Sequence, residues 1–335
     1  MLVEEVQAGF QGREACTVGG LNNSGESLVQ PTDRELRGHA RPRTGAGAMT
    51  VARPFTKWAG GKTQLLPELR RRVPSYFGHY WEPFVGGGAT LFDVLQQGRT
   101  ADSDSAGTTG DNVTINDSNK WLIATYRATR DNVVGVIAYL REYEAGYRKG
   151  GAEFYYEVRR RNPMLLVDQA AAFIFLNKTG FNGLFRVNKA GDFNVPHGKR
   201  AGEVTICDAE NLHACSRLLQ GVQIQHGDFE APPGVSGCAK EGDFIYFDCP
   251  YWPVSASSDF TAYTKEPFGP AEQERLRDLA LRLKARGCRV LLSNADVPPV
   301  RALYAKGFTI ERVEARRAIN SDASKRGNVG ELLIC

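Results

Sequence analysis

Asp243-Phe-Ile-Tyr-Phe-Asp-Cys-Pro-Tyr-Trp-Pro-Val-Ser255 decides how this chain is read. An apolar run of strand type ends abruptly in Asp248, followed by Cys249, Pro250 and Tyr251. An acid at the carboxyl end of a buried strand stands where open α/β sheets place their ligands. The group suits chemistry on an amino nitrogen attached to an aromatic base. Such a nitrogen shares its lone pair with the ring. A carboxylate and the next main-chain carbonyl can each accept one of its two hydrogens, which frees the lone pair and favours the charge that develops during attack. Pro250 stiffens the turn, and Tyr251 offers a ring face on which a base can stack. The same residues also make an ordinary surface turn, so the rest of the chain has to decide.

With 335 residues, 42% apolar and 24% charged, the composition is that of a globular protein with a large core or two modest ones. No apolar run approaches the ~20 residues needed to cross a bilayer, and the amino terminus lacks the basic and apolar segments of a secretory signal. Seven cysteines without a C-x-x-C and five scattered histidines predict reduced thiols, a cytoplasmic protein and no metal. The formal net charge is +4, but residues 147–200 alone carry ten Lys or Arg against four Asp or Glu, a net of +6. That concentration fits a face that meets phosphates, or, for Arg159-Arg160-Arg161 alone, a solvated helix surface.

Residues 1–48 are rich in Gly, Ser, Asn and Arg without a sustained period. They predict a disordered extension, with Met49 as a natural start. Beyond it the periods alternate as in an α/β fold. A strand is expected at 79–85, ending in Gly86-Gly87-Gly88, with a helix over 89–97. A polar loop follows from 99 to 113, then a strand end at 114–117 and helices to about Arg148. One helix is expected over 153–176, and a hairpin or structured loop over 177–199. Strands are expected at 244–247, 289–294, 308–316 and 329–334, with a helix opening at Pro270 and closing at Gly287.

Three strand ends therefore carry ligand-type groups on one edge of one sheet. Gly86 to Gly88 let a backbone approach a ligand and leave helix N–H groups free. Asp117 is placed to accept a ribose diol. With no G-x-x-x-x-G-K-[ST] to hold phosphates, glycines plus a ribose acid suit S-adenosylmethionine. Trp58 and Lys62, four apart, fit packing near that cofactor and pairing with its carboxylate; a helix entry with an incidental aromatic has the same spacing.

Together the landmarks Lys57-Trp-Ala-Gly-Gly-Lys62, Glu82-Pro-Phe-Val-Gly-Gly-Gly88, Asn116-Asp-Ser-Asn119, Asn177-Lys-Thr-Gly-Phe-Asn-Gly-Leu-Phe-Arg-Val-Asn188, Phe193-Asn-Val-Pro196, Asp248-Cys-Pro-Tyr251 and Ser293-Asn294 resemble the DNA adenine methylase (Dam) family, the D12 class of N6-adenine methyltransferases. The resemblance runs from about Pro54 to the C-terminus. It implies a Rossmann-like methyltransferase α/β sheet with helices on both faces, formed by residues 49–118 and 217–335. Residues 119–216 would be an inserted, mainly helical target-recognition domain with a hairpin.

It assigns Trp58, Lys62, Phe84, Gly86, Gly88, Asp117, Asp228 and Asp248 to S-adenosylmethionine, and Asp248, Cys249, Pro250 and Tyr251 to catalysis. Lys178, Phe181, Asn182, Arg186, Asn188, Lys189 and Lys199, with Arg200, would meet DNA: Phe181 as a wedge, Arg186 at a guanine edge, the lysines at phosphates. Phe185 reads as core. The family motif usually has Pro where Cys249 stands. The proposed carbonyl survives that change, and the rigidity of the turn is what it puts in question. The implied activity is methylation of a flipped adenine in a short, GATC-like duplex site by a monomer, in DNA modification or beside a restriction endonuclease. N4-cytosine methylation, RNA as substrate and a catalytically decayed DNA-binding relative stay open at this point.

Overall fold

The structure is a computed structural model that describes residues 50–58, 60–98, 110–188, 190–199, 204–231, 234–252, 268–316 and 328–335. The expectations for residues 1–48, the body of the 99–113 loop, Lys189 and Arg200 fall outside them. Everything below concerns the compact unit Thr50–Cys335.

Seven strands form one sheet in the order β3-β2-β1-β4-β5-β7-β6: β1 Tyr80–Glu82, β2 Val113–Asp117, β3 Gln223–His226, β4 Phe244–Phe247, β5 Arg289–Ala295, β6 Ile310–Arg316 and β7 Asn328–Ile334. β1 to β5 are parallel, and β7 inserts antiparallel between β5 and β6. The chain runs outward from β1 to β3, then returns to lay β4 against the other side of β1. Strand order reverses there, at the carboxyl ends of β1 and β4, where open α/β sheets place their ligands.

Nine α-helices are seen among the described residues: α1 Leu66–Arg70, α2 Ala89–Gln97, α3 Lys120–Asp131, α4 Val133–Arg160, α5 Leu166–Thr179, α6 Ala209–Leu219, α7 Val235–Cys238, α8 Pro270–Ala285 and α9 Pro298–Tyr304. Alternate residues of the central strands face opposite layers, as the period of two requires. Tyr80, Phe244, Tyr246 and Leu291 join the apolar cluster containing Leu91, Tyr126, Leu140 and Phe175. Trp81, Ile245, Phe247 and Leu292 join Leu276, Leu279, Leu283 and Val300 of α8 and α9. β4 is buried along its whole length, which is why its sequence reads as a continuous apolar run.

The expected strand at 79–85 keeps only three residues, because Pro83 has no N–H for the ladder, although Val85 N still donates to Asn116 O. The single helix expected over 153–176 is two. α4 ends at Arg160, and α5 begins at Leu166 beyond Pro163, a residue that disfavours helix on both sides. α4 itself turns at Gly151, φ 51°, between its two helical stretches. Beyond Asn119, the expected start of the insert, α3 hydrogen-bonds the sheet: Arg127 Nη2 donates to Ile224 O and Arg130 Nη1 to Val222 O, both at 2.8 Å. The alternation Val222-Gln-Ile-Gln225 marks β3, a strand the sequence reading left out.

Candidate functional site

Asp248 stands one residue beyond β4, at the switch point. Its Oδ1 lies 2.6 Å from Lys62 Nζ and accepts the Ser293 hydroxyl from β5 at 3.0 Å. Lys62 is 5% exposed, enters a 3-10 turn over Lys62–Gln64, and also donates to Gly60 O at 2.7 Å. The Ser293 hydroxyl has one proton and gives it to Asp248, so Tyr246 Oη donates in turn to Ser293 Oγ at 3.0 Å. Burial raises the Asp248 carboxyl above its ordinary value, and Lys62 and Ser293 oppose the rise. Lys62 Nζ also sits 4.6 Å from the centroid of the Tyr251 ring. A carboxylate, a cation and an aromatic face therefore meet at one strand end.

The turn that follows is braced from outside. Gln273 Nε2 of α8 donates to Pro250 O at 2.8 Å, and Trp252 N donates to Asn294 Oδ1 at 3.1 Å. Asn294 Nδ2 closes the loop on Gln273 Oε1 at 3.0 Å. Two hydrogen bonds to the turn and one between Gln273 and Asn294 hold the segment that carries Cys249. The Cys249 side chain is 2% exposed and points into the α8–α9 layer. Burial, with Asp248 adding, pushes its thiol up to about 12. A neutral buried thiol is neither nucleophile nor metal ligand. Cys249→Ser is expected to leave turnover within about threefold, and iodoacetamide at neutral pH should leave Cys249 of the folded protein unmodified, by peptide mass analysis.

On the β1–β2 side, Asp117 accepts from Gly86 N at 3.1 Å and Asn119 N at 2.9 Å. Burial raises its carboxyl to about 6, against those two backbone donors. Gly86 and Gly88 have φ of 49° and 74°, as the turn requires. The side on which a Cβ would stand is taken up by the protein itself, however. A Cβ on Gly86 would lie 2.7 Å from Trp58 Cδ1, and one on Gly88 2.4 Å from Tyr126 Oη. Trp58 lies over the glycine turn and stacks on Phe185, centroids 6.3 Å apart. Phe84 is on the opposite face, 5.2 Å from Phe229 and 5.6 Å from Phe268. Asp228 is exposed and paired with Arg275 of α8 at 2.9 Å, while the Arg275 guanidinium lies 4.9 Å from the Phe229 ring centroid. Half-buried acids, a buried ammonium and aromatic faces along one edge fit a ligand that carries a diol, a carboxylate and an aromatic base.

The expected DNA-facing residues divide. Phe181 is 45% exposed at the tip of a 3-10 turn over Phe181–Gly183, beside Asn182, which has a φ of 54°. Arg186 is exposed and donates across the hairpin to Asn194 Oδ1 at 2.7 Å. Asn188 closes the turn, its Oδ1 accepting Asp192 N at 2.9 Å. Lys199 is exposed. Lys178 is turned to the protein: Nζ donates to Ile206 O at 2.9 Å, and burial lowers its pKa. Phe185 is buried between Phe173, Phe193 and Trp58.

Four groups at the site received no individual role from the sequence. Glu82 is 2% exposed and accepts Tyr80 Oη at 2.9 Å; burial holds its carboxyl well above the usual range. Ser293 was visible only as part of a motif. Glu331 of β7 accepts Tyr251 Oη at 2.7 Å. Asn177, 1% exposed, accepts Lys57 N at 2.7 Å and donates to Lys57 O and Gly183 O at 2.7 and 2.8 Å. No cluster of His, Cys, Asp and Glu able to hold a metal occurs among the described residues, and no helix of theirs is long and apolar enough to cross a membrane.

A family model described as D12 class N6 adenine-specific DNA methyltransferase matches residues 58–319. The chain is 38% identical over 290 residues to the Type II methyltransferase M1.LlaDCHI of Lactococcus lactis subsp. cremoris, covering 84% of this chain and 94% of that protein. It is 40% identical over 298 residues to the Type II methyltransferase M.MjaIII of Methanocaldococcus jannaschii, covering 84% and 98%. To the DNA adenine methylase of Haemophilus influenzae it is 30% identical over 287 residues, covering 84% and 92%.

Proposed function

Because the chain belongs to the D12 class of N6 adenine-specific DNA methyltransferases, we propose that it methylates an adenine turned out of duplex DNA, with S-adenosylmethionine as methyl donor. The observation that supports this most is the carboxylate of Asp248, held at the end of β4 against a buried cation and beside an aromatic ring. The donor supplies an electrophilic methyl group on a sulfonium.

In this reading Asp248 and the Cys249 carbonyl accept the two amino hydrogens of the adenine. Tyr251 stacks on its ring and Pro250 holds the turn. Ser293, donating to Asp248, fixes which carboxylate lone pairs remain for the base. No base has to remove a proton before attack, because the nitrogen loses it after transfer. Alignment and exclusion of water can contribute on the order of 7–11 kcal/mol. Trp58, Lys62, Phe84, Asp117, Asp228 and the turn from Gly86 to Gly88 hold the donor: Lys62 at its carboxylate, Asp117 at its ribose. Residues 119–216 carry target recognition, with Phe181 as the wedge, Arg186 at a base edge, Asn182 and Asn188 shaping the hairpin, and Lys199 at a phosphate. The working form is a monomer, and its partner in DNA modification is a cognate restriction endonuclease.

A ribose diol donates to ionised Asp117, which titrates at about 6. Donor affinity is therefore full above that pH and falls as the pH drops through it, by up to about tenfold per unit. Calorimetric titration of the donor across this range should show the fall, and Asp117→Asn should bind weakly with no such dependence. An affinity independent of pH in the unaltered protein would remove Asp117 from the ribose site.

Incubation with S-adenosylmethionine and unmethylated plasmid, followed by digestion to nucleosides and mass spectrometry, tests the whole reading. N6-methyladenine is expected. Its absence, from folded protein that binds the donor, would overturn it.

A further inference from the structure

We infer that Glu331, on β7 and outside every motif of the sequence, is a positioning residue that fixes the ring of Tyr251 and so sets the plane on which the target adenine stacks. The inference rests on the reading of Tyr251 as the stacking platform. The backbone on both sides of Tyr251 is already held, Pro250 O by Gln273 and Trp252 N by Asn294. What those bonds leave free is rotation of the side chain about χ1 and χ2, and the phenol oxygen is the far end of that lever. Glu331 Oε2 takes it at 2.7 Å.

Glu331 is itself on a rigid base. It lies opposite Ala295 of β5 and Val313 of β6, so its backbone belongs to antiparallel ladders on both sides. A side chain mounted there moves less than one on a loop. Its chemistry also suits the task. A carboxylate accepting a phenol proton makes a short, charge-assisted bond. The phenol keeps its proton, because burial, with Asp248 and Glu331 adding, holds it well above its ordinary value. A hydrogen bond to an anion enriches the ring in electron density, which strengthens its attraction for positive charge on its face. Positive charge is what develops on the attacking nitrogen. Lys62 Nζ, 4.6 Å from the ring centroid, shows the face accepting a cation.

The test is a mutant cycle between the two ends of the bond, on the full chain, with duplex DNA carrying 2-aminopurine in place of the target adenine mapped beforehand. Single-turnover methylation of the unsubstituted duplex is measured in parallel. Glu331→Ala and Tyr251→Phe are each expected to slow transfer roughly 10- to 100-fold, as a misplaced reactant does. The double variant should be no slower than the slower single one, because both remove the same bond. Glu331→Gln, which keeps an acceptor oxygen, should restore most of the rate. Donor and DNA affinities should stay within about twofold, and the emission of bound 2-aminopurine should rise as stacking loosens.

Losses that multiply in the double variant would overturn the assignment, as would an unchanged single-turnover rate in Glu331→Ala. Should Glu331→Ala fail to fold, Tyr251→Phe tests the bond from its other end, and an unchanged rate there also overturns it. Tyr251→Ala separates this inference from the reading beneath it. If removing the whole ring alters neither transfer nor emission, the stacking role of Tyr251 falls, whatever Glu331 does.

Discussion

Asp248→Ala lowers methyl transfer by at least about 10³-fold, the scale on which loss of one preorganised polar group at a reacting atom is felt, while duplex DNA still binds. Two physical effects add. The first is chemical: the amino nitrogen loses the acceptor that draws its hydrogens away from the ring plane. The second is structural. Lys62, 5% exposed, loses the anion 2.6 Å from its Nζ and keeps Gly60 O and the Tyr251 ring face. Breaking a buried pair from one side costs about 3–5 kcal/mol, and the 20% exposure of Asp248 puts this case at the low end. Asp248→Asn separates the two. Its amide is uncharged but keeps the shape and one acceptor oxygen, so it should recover part of the stability and little of the rate. Single-turnover assays with thermal unfolding of both variants make the comparison. Substantial turnover in Asp248→Ala would remove Asp248 from the chemistry.

Asn177→Ala is the second large effect, and its first readout is stability. One buried amide serves three backbone groups: Lys57 N, Lys57 O and Gly183 O. Alanine offers none of them a partner. At ~1–3 kcal/mol for each buried group left unpaired, with some reached by water, the loss should be on the order of 3–5 kcal/mol. Asn177→Asp should not rescue it, since a carboxylate cannot donate to two carbonyls. Thermal melts decide the matter: a drop of roughly 4–8 °C is expected for a protein of this size, and one below about 2 °C would show that the three groups find other partners.

How much of this was legible in the chain follows the range of each interaction. β4 and Asp248 could be read because burial on both faces writes four apolar residues in a row, and the strand's end writes an acid directly after them. Asp117 and the glycine turn were legible as strand ends for the same reason. The occupant of that turn was not: Trp58 lies over Gly86 through a contact made in three dimensions, and spacing along the chain carries no trace of it. Glu331 is a single acid in the strand next to the edge one, a pattern shared by any solvated strand. Its partner is 80 residues away. Asn177 is 120 residues from Lys57, so its motif was visible and its bonds were not. Lys178 and Asp228 show the converse. The sequence assigned them to a phosphate and to the cofactor, and the fold gave each a partner within the protein, Ile206 O and Arg275. The split of the expected 153–176 helix was written in Pro163, which an apolar period on both sides masked.

The joint at Asn177 also sets the unit by which sequence preference can be exchanged among relatives. The hairpin tip is tied at Gly183 to the strand of chain that bears Trp58, and Phe185 rests on that same indole. A tip transplanted alone would carry new base contacts onto a foreign anchor. A working chimera has to move residues 55–58, Asn177 and residues 180–197 together, so the part proposed to read DNA is inherited with a piece of the part proposed to hold the donor.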